Sequence, residues 1–333
     1  MSEIYLPVRL KRLRKNPAVR AMLRETHIRT EQLIAPLFIS DVLSIKRPIA
    51  SMPGHYQLTL NDLPEEIAEI SRLGIQSVLL FGIPSHKDPH GHASLLDNGI
   101  IQKALRLIKT LNPNLILIAD VCLCEYTDHG HCGVLQGNTI DNDATLKILA
   151  QQALSYANAG ADWIAPSSMT DGMVLAIRQE LDKNNHHEIA ILSYAVKYSS
   201  SFYAPFREAA QGAPSWGDRK SYQMDPGNSR EALREAALDL TEGADMLMVK
   251  PAIHYLDIIF QLKQKFPEVP LCAYHVSGEY AMIKATAEKG LIDEQSAMLE
   301  SLTAIKRAGA DLIITYFAKD FAGLNYELRA NAS

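Results

Sequence analysis

The 333-residue chain predicts one α/β domain, a (β/α)8 TIM barrel with an extended N-terminal arm, on three observations. Eight short apolar runs alternate with segments of helical spacing, the rhythm of strand–helix units that build a parallel barrel. Three helix-to-strand joints repeat the phrase Gly-Ala-Asp, starting at Gly160, Gly243 and Gly309, with a looser copy at Leu73-Gly74-Ile75. Glycine there is the usual left-handed helix stop, and the strand follows at once. Finally, no Gly-x-Gly-x-x-Gly follows the first strand and no phosphate loop is present, which disfavours the alternative, a doubly wound open sheet.

Composition narrows the class. With 47% hydrophobic and 21% charged residues the chain is ordinarily globular, and a net charge of -5 gives no argument for a nucleic-acid partner. No run of 18 apolar residues is present and the N-terminus lacks a signal-peptide core, so the expectation is a cytoplasmic protein without a membrane span. Four cysteines in such a chain do not suggest a disulfide framework, and three of them cluster.

Residues 1 to about 30 differ from the rest. Arg9, Lys11, Arg12, Arg14, Lys15, Arg20, Arg24 and Arg29 make a basic segment broken by Pro7 and Pro17. It reads either as an arm that docks on a neighbouring subunit or as a solvated terminus. The barrel then occupies 31–333. Its predicted strands are Leu33–Ile39, Ser77–Phe81, Leu115–Ala119, Trp163–Ala165, Ile189–Val196, Met246–Val249, Pro270–Tyr274 and Leu312–Phe317. Predicted helices cover Leu63–Leu73, Ile101–Leu111, Ala144–Ala159, Met173–Leu181, Arg230–Leu240, Tyr255–Phe266 and Asp293–Ala308, several opened by cap-like residues such as Asn61-Asp62.

Active sites of such barrels lie at the carboxyl ends of the strands, so the residues that end each run matter most. The third run ends on Asp120-Val121-Cys122-Leu123-Cys124, and Cys132 follows eight positions later. Three thiolates with a vacant fourth position suit a zinc ion that binds water or substrate, with Asp120, His129 and His131 as supporting or further ligands. The fifth run ends on Lys197 and the sixth on Lys250, where Pro251 stops the strand. Desolvation and mutual repulsion lower the pKa of such paired ammonium groups, which makes an amine suited to Schiff-base chemistry on a ketone or aldehyde. Each lysine alone also reads as a side chain that snorkels to solvent. Cys272, inside the seventh strand, reads as inert core.

The aperiodic stretch at about 198–224 reads as an active-site lid rather than a disordered linker, because it is rich in aromatics. Arg207 and Arg219 within it suit a carboxylate clamp, although solvated surface arginines are the alternative. Ser277, past the seventh run, and Tyr316, at the end of the eighth, suit a second carboxylate or plain polar lining.

The run Asp120-Val-Cys-Leu-Cys-Glu-Tyr-Thr, the His-Gly-His-Cys-Gly that ends at Gly133, the lysine before Tyr198-Ser199-Ser200, and Met248-Val-Lys-Pro-Ala252 resemble the porphobilinogen synthase (5-aminolevulinic acid dehydratase) family. The resemblance runs from Arg12-Leu-Arg-Lys-Asn-Pro17 to Tyr316. It implies a cytoplasmic homo-octamer that condenses two 5-aminolevulinate molecules to porphobilinogen, with loss of two waters, in tetrapyrrole (haem) synthesis. It implies further that Lys250 and Lys197 form Schiff bases; on chemical grounds Asp120 and the lid hydroxyls are the candidate proton shuttles. Arg207, Arg219 and Gln223 would hold one substrate carboxylate, and Ser277 and Tyr316 the other. Cys122, Cys124 and Cys132 would hold Zn2+, and Glu235 an allosteric Mg2+. Two other readings are a Schiff-base aldolase, which leaves the second lysine and the cysteines unexplained, and an inactive scaffold barrel, which predicts loss of a residue from the set.

Overall fold

The computed structural model describes residues 6–330; positions 1–5 of the predicted arm and 331–333 of the predicted barrel lie outside the described residues. Eight parallel strands form the barrel: β1 (Leu33–Ser40), β2 (Ser77–Ile83), β3 (Ile116–Val121), β4 (Trp163–Pro166), β5 (Ala190–Lys197), β6 (Met246–Lys250), β7 (Leu271–His275) and β8 (Leu312–Thr315). Each pairs with the next, and β8 returns to β1 through Leu33↔Ile313 and Ile34↔Ile314, which closes the cylinder. The strands read as continuous apolar runs because both faces are covered; every residue of β1 is buried.

The outer ring is α1 (Leu63–Arg72), α2 (Ile100–Leu111), α3 (Asn142–Asn158), α4 (Met173–Lys183), α5 (Arg230–Glu242), α6 (Leu256–Lys265), α7 (Ser277–Glu288), α8 (Glu294–Ala308) and α9 (Ala318–Ala330). The first and third of the repeated glycines precede β4 and β8, and Gly243 ends α5 at a φ of 106°. The aspartate of the repeat has its own work. Asp162 accepts the Leu117 N–H at 2.7 Å, Asp245 that of Ile191 at 2.7 Å and Asp311 that of Leu271 at 2.9 Å. Each carboxylate at the foot of an even strand thus satisfies an amide of the strand before it. Lys109 and Lys263 neutralise two of the three, at 2.7 and 2.8 Å.

Three features depart from the expected pattern. Helix α7 begins at Ser277, where no helix was predicted; its buried residues are Ser277, Glu279, Tyr280 and Ile283, so no apolar stripe betrays it. Helix α9 was not expected either. Strand β5 holds one extra residue: Leu247 faces Ser193 and Val249 faces Val196, two steps along β6 against three along β5.

The 198–224 segment, expected to be a lid, holds a short helix, Ala204–Ala209, whose Pro205 stands in the first turn where proline is tolerated. The arm holds a helix, Pro17–Met22, capped by Asn16 through Val19 N–H at 2.9 Å. Its Val8, Leu10, Leu13 and Met22 are all exposed in the single chain. Among the described residues no helix is long and apolar enough to cross a membrane.

Candidate active site

Lys197 and Lys250 end adjacent strands and are register partners. Both side chains are buried, at 4% and 5% exposure, although lysine is among the residues least often buried. Aromatic rings enclose Lys250: its Nζ lies 4.4 Å from the ring centroid of Tyr274, 5.0 Å from those of Tyr194 and Phe206, and 5.3 Å from that of Tyr203. Lys197 Nζ donates to the Ser167 carbonyl and lies 5.6 Å from the Tyr194 ring. Burial, and secondly the charge of Lys197, push the Lys250 amine down to about 7. A neutral, nucleophilic amine is therefore well populated near neutral pH.

Asp120, next to the end of β3, faces the lysines. Its Oδ2 accepts from Ser167 Oγ at 3.0 Å, while Oδ1 is buried without a partner. Burial raises its pKa against the opposing pull of both lysines. Ser167 links the two chemistries, touching Asp120 through its hydroxyl and Lys197 through its carbonyl.

Cys122, Cys124 and Cys132 are buried, and their sulfurs all lie within 4.8 Å of one another, with Cys122 and Cys124 at 3.3 Å. A tetrahedral ion with sulfur at about 2.3 Å needs sulfurs roughly 3.8 Å apart, so the donor set fits a soft divalent cation. Burial holds the Cys122 thiol up, hydrogen bonding to the other two sulfurs holds Cys124 up, and hydrogen bonds from both hold Cys132 down. A cation would replace the protons these sulfurs share. The two nearby histidines are engaged elsewhere. His129 Nε2 meets the Pro89 carbonyl at 3.2 Å, and His131 meets the Trp216 carbonyl and the Tyr222 hydroxyl, each at 3.2 Å.

These contacts fasten the lid to the cysteine loop. Ser215 N–H donates to the His129 carbonyl at 3.0 Å, and a side chain at Gly130 would strike the Ala213 carbonyl. Arg219 spans both segments, donating to Gly130 O at 2.9 Å and Gly212 O at 2.6 Å. Its Nε, like that of Arg207, is buried without a partner, which leaves donors for an anion. One narrow cavity is walled by Lys197, Lys250, Asp120, Ser167, Cys124, Glu125, Arg207 and Arg219, with Phe81, Tyr203 and Phe206 as its apolar side.

Ser277, Tyr316 and Gln223 are not on that wall. Ser277 Oγ accepts the Phe206 N–H at 2.9 Å and so holds the lid helix to α7. The Tyr316 hydroxyl meets that of Tyr274 at 3.0 Å, one ring away from Lys250. Gln223 is buried with both amide atoms unpartnered, and with its neighbours at 220–224 lines a second cavity of about 730 Å³. Glu235 lines that same cavity with Asp171, Glu231, Asp239 and Glu242, and burial followed by the Asp171 and Glu231 charges raises its pKa. It belongs to no cluster of three close ligand atoms among the described residues. Cys272 is core, its thiol pushed up to about 12 by burial.

A family model described as delta-aminolevulinic acid dehydratase matches residues 7–324. The chain belongs to the delta-aminolevulinic acid dehydratase family. Among the curated members, the Bacillus subtilis enzyme is 54% identical over 94% of this chain and 97% of its own length. That of Halalkalibacterium halodurans is 53% identical over 94% and 95%. A solved delta-aminolevulinic acid dehydratase (porphobilinogen synthase) from Toxoplasma gondii, in complex with the reaction product porphobilinogen, superposes with a TM-score of 0.94 at 45% identity, covering 97% of this chain and 93% of that one.

Several residues of this site escape a sequence reading. Ser167 follows the end of β4, a position at which barrel chemistry is expected. Tyr194 stands three before Lys197, odd spacing that puts two side chains on opposite faces of a regular strand; the extra residue in β5 restores them to one side. Glu279 gives no signal at all. It is wholly buried, and accepts the amides of Val276 at 2.8 Å and Ile253 at 2.7 Å, tying the loop after Lys250 to the start of α7.

Proposed function

We propose that this chain joins two 5-aminolevulinate molecules into porphobilinogen with loss of two waters, Lys250 and Lys197 serving as the Schiff-base lysines. The observation that carries this assignment is the pairing of two buried lysines across β5 and β6 in one cavity with Asp120, Arg207 and Arg219. Joining two copies of one ketone needs two activated carbonyls held side by side, and neighbouring strand ends supply that spacing.

In the proposed reaction the neutral Lys250 amine attacks a substrate ketone, a C–N bond forms, and the carbinolamine loses water to give a protonated imine. Lys197 does the same with the second molecule. One iminium loses a proton from its adjacent carbon and, as the enamine, attacks the other iminium carbon, whose lysine later leaves by elimination. The amino group of the attacked molecule displaces the remaining lysine by imine exchange, so both lysines return to free amines and the two waters are those lost on imine formation. Asp120, supported by Ser167, takes and returns protons beside both lysines. The free donors of Arg207 and Arg219 hold one carboxylate, with Gln223 behind them, and Ser277 with Tyr316 serves the other once substrate rearranges the lid contacts. The apolar side of the cavity excludes water that would hydrolyse the imines.

Cys122, Cys124 and Cys132 would hold zinc, which supplies Lewis acidity beside the reacting amine and carbonyl. Magnesium at Glu235 is the second metal of the proposal, supported by the acidic wall around that side chain. The exposed apolar residues of the basic arm support its docking on a neighbouring copy, in an octamer. Three cysteines kept as thiolate ligands favour a reducing compartment, the cytoplasm. Zinc-loaded protein given 5-aminolevulinate should release porphobilinogen, read by mass; absence of that product would reject the activity.

A further inference from the structure

Gln57 is a buried amide to which the reaction above assigns no role. It lies in a small hairpin after β1, Arg47–Pro48 with Tyr56–Leu58, where it is the register partner of Arg47 on one side and of Phe38 in β1 on the other. Only 3% of it is exposed. Its Oε1 accepts from Arg47 Nε at 3.0 Å and from a second guanidinium nitrogen at 2.6 Å, and its Nε2 donates to the Ala209 carbonyl at 2.6 Å. The cation fixes which way the amide faces, since the opposite orientation would set an NH2 group against two N–H donors.

Ala209 ends the short helix that carries Arg207, and carbonyls at a helix end have no partner within the helix. The carbonyls just beyond are held as well, that of Gln211 by Lys87 at 2.5 Å and that of Gly212 by Arg219 at 2.6 Å. Toward the start of the helix Ser277 accepts the Phe206 N–H, and the Phe206 ring lies 5.7 Å from that of Phe38. Arg207 therefore sits between two held points. Its Nε has no partner, so the backbone of this helix decides where the guanidinium points. Of the three donors, Arg219 lines the cavity itself and Lys87 lies within reach of the Cys124 and Glu125 charges, whereas Gln57 is off the cavity wall and acts on it through the helix. We propose that Gln57, aimed by Arg47, is a positioning residue that holds Arg207 toward a substrate carboxylate. This role rests on the carboxylate clamp and the Schiff-base lysines proposed above.

The test compares 4-oxopentanoate with pentan-2-one, which keeps the ketone but has a methyl in place of the carboxylate. Borohydride trapping on Lys250 and Lys197 is followed by mass against ketone concentration, in the metal-analysed protein. In Gln57→Met the half-saturating concentration of 4-oxopentanoate should rise about 5- to 30-fold, the scale of one buried hydrogen bond left unmade. That of pentan-2-one should change less than about 2-fold. Gln57→Glu keeps the pair with Arg47 but offers no amide donor to Ala209, so it should behave like Gln57→Met. Arg47→Met, a change at an exposed side chain, should shift 4-oxopentanoate in the same direction by less. In an Arg207→Ala background the Gln57→Met shift should vanish. Equal shifts for both ketones, no shift for either, wild-type affinity in Gln57→Glu, or an undiminished shift without Arg207 would overturn the role. A wild type that traps neither ketone would remove the Schiff-base reading, unchanged 4-oxopentanoate trapping in Arg207→Ala would remove the clamp, and either would take this role with it.

Discussion

Lys197 and Lys250 occupy the last positions of β5 and β6 and face each other across one rung of the ladder. A like charge one rung away is unfavourable to both, and burial adds to the cost, so the site keeps Lys250 easy to deprotonate. Replacing Lys197 by Met removes the second-largest cause of that shift. The Lys250 pKa should then move up toward its ordinary value, and the acid limb of kcat/KM for imine formation on Lys250 should move to higher pH. An unchanged limb in the trapping rate of Lys197→Met would contradict the coupling.

Lys250→Met should abolish turnover by about 10³-fold or more, since no other group supplies that nucleophile. It should also stabilise the fold. A lysine whose folded pKa is lowered from 10.5 to about 7 binds more protons when unfolded across that window, so stability rises with pH there and is lowest below it. The gain in Tm from Lys250→Met should therefore be larger at pH 6 than at pH 9. Thermal melts at both values check the sign.

Ser167→Ala removes the hydroxyl donor of Asp120 but keeps the main-chain carbonyl that holds Lys197. A lost hydrogen bond to a charged group corresponds to a fall in kcat of about 10- to 100-fold. Trapping on Lys197 should persist at wild-type extent, which separates a proton-transfer defect from a displaced lysine.

At Gly278 an added Cβ would lie 2.5 Å from the Phe202 carbonyl oxygen, a backbone atom at the start of the lid. Gly278→Ala should lower stability by about 1–3 kcal/mol through that overlap. It should also loosen the 198–224 segment, seen as faster proteolytic cleavage there with the barrel intact.

Chelation should remove the metal and the activity together, and Cys122→Ala/Cys124→Ala should fail to recover either on adding zinc. Metal analysis beside the activity assay reads both. Full activity in that double variant without bound metal would exclude a role for the cysteine cluster.

Much of this molecule is legible in the linear order of its residues. Covered strands read as apolar runs, and the residue that closes each run marks the barrel mouth, which is why Lys197, Lys250, Asp120 and the three cysteines stand out. The Gly-Ala-Asp repeat marks joints, but its aspartates bond to amides 40 or more residues away, as Asp162 does to Leu117, and only folding shows that. Tyr194 is hidden by an extra residue in β5, helix α7 by its buried polar side chains, and Ser167 by the shortness of β4. His129 and His131, close to the cysteines in sequence, serve backbone and lid contacts, because local proximity says nothing of where a ring points.

Borohydride reduction of the zinc-loaded protein in the presence of 5-aminolevulinate, followed by peptide mass mapping, tests the two-lysine assignment most directly. Substrate adducts on Lys250, and on Lys197 at higher substrate concentration, are the expected result. Product formation with no adduct on either lysine would contradict it.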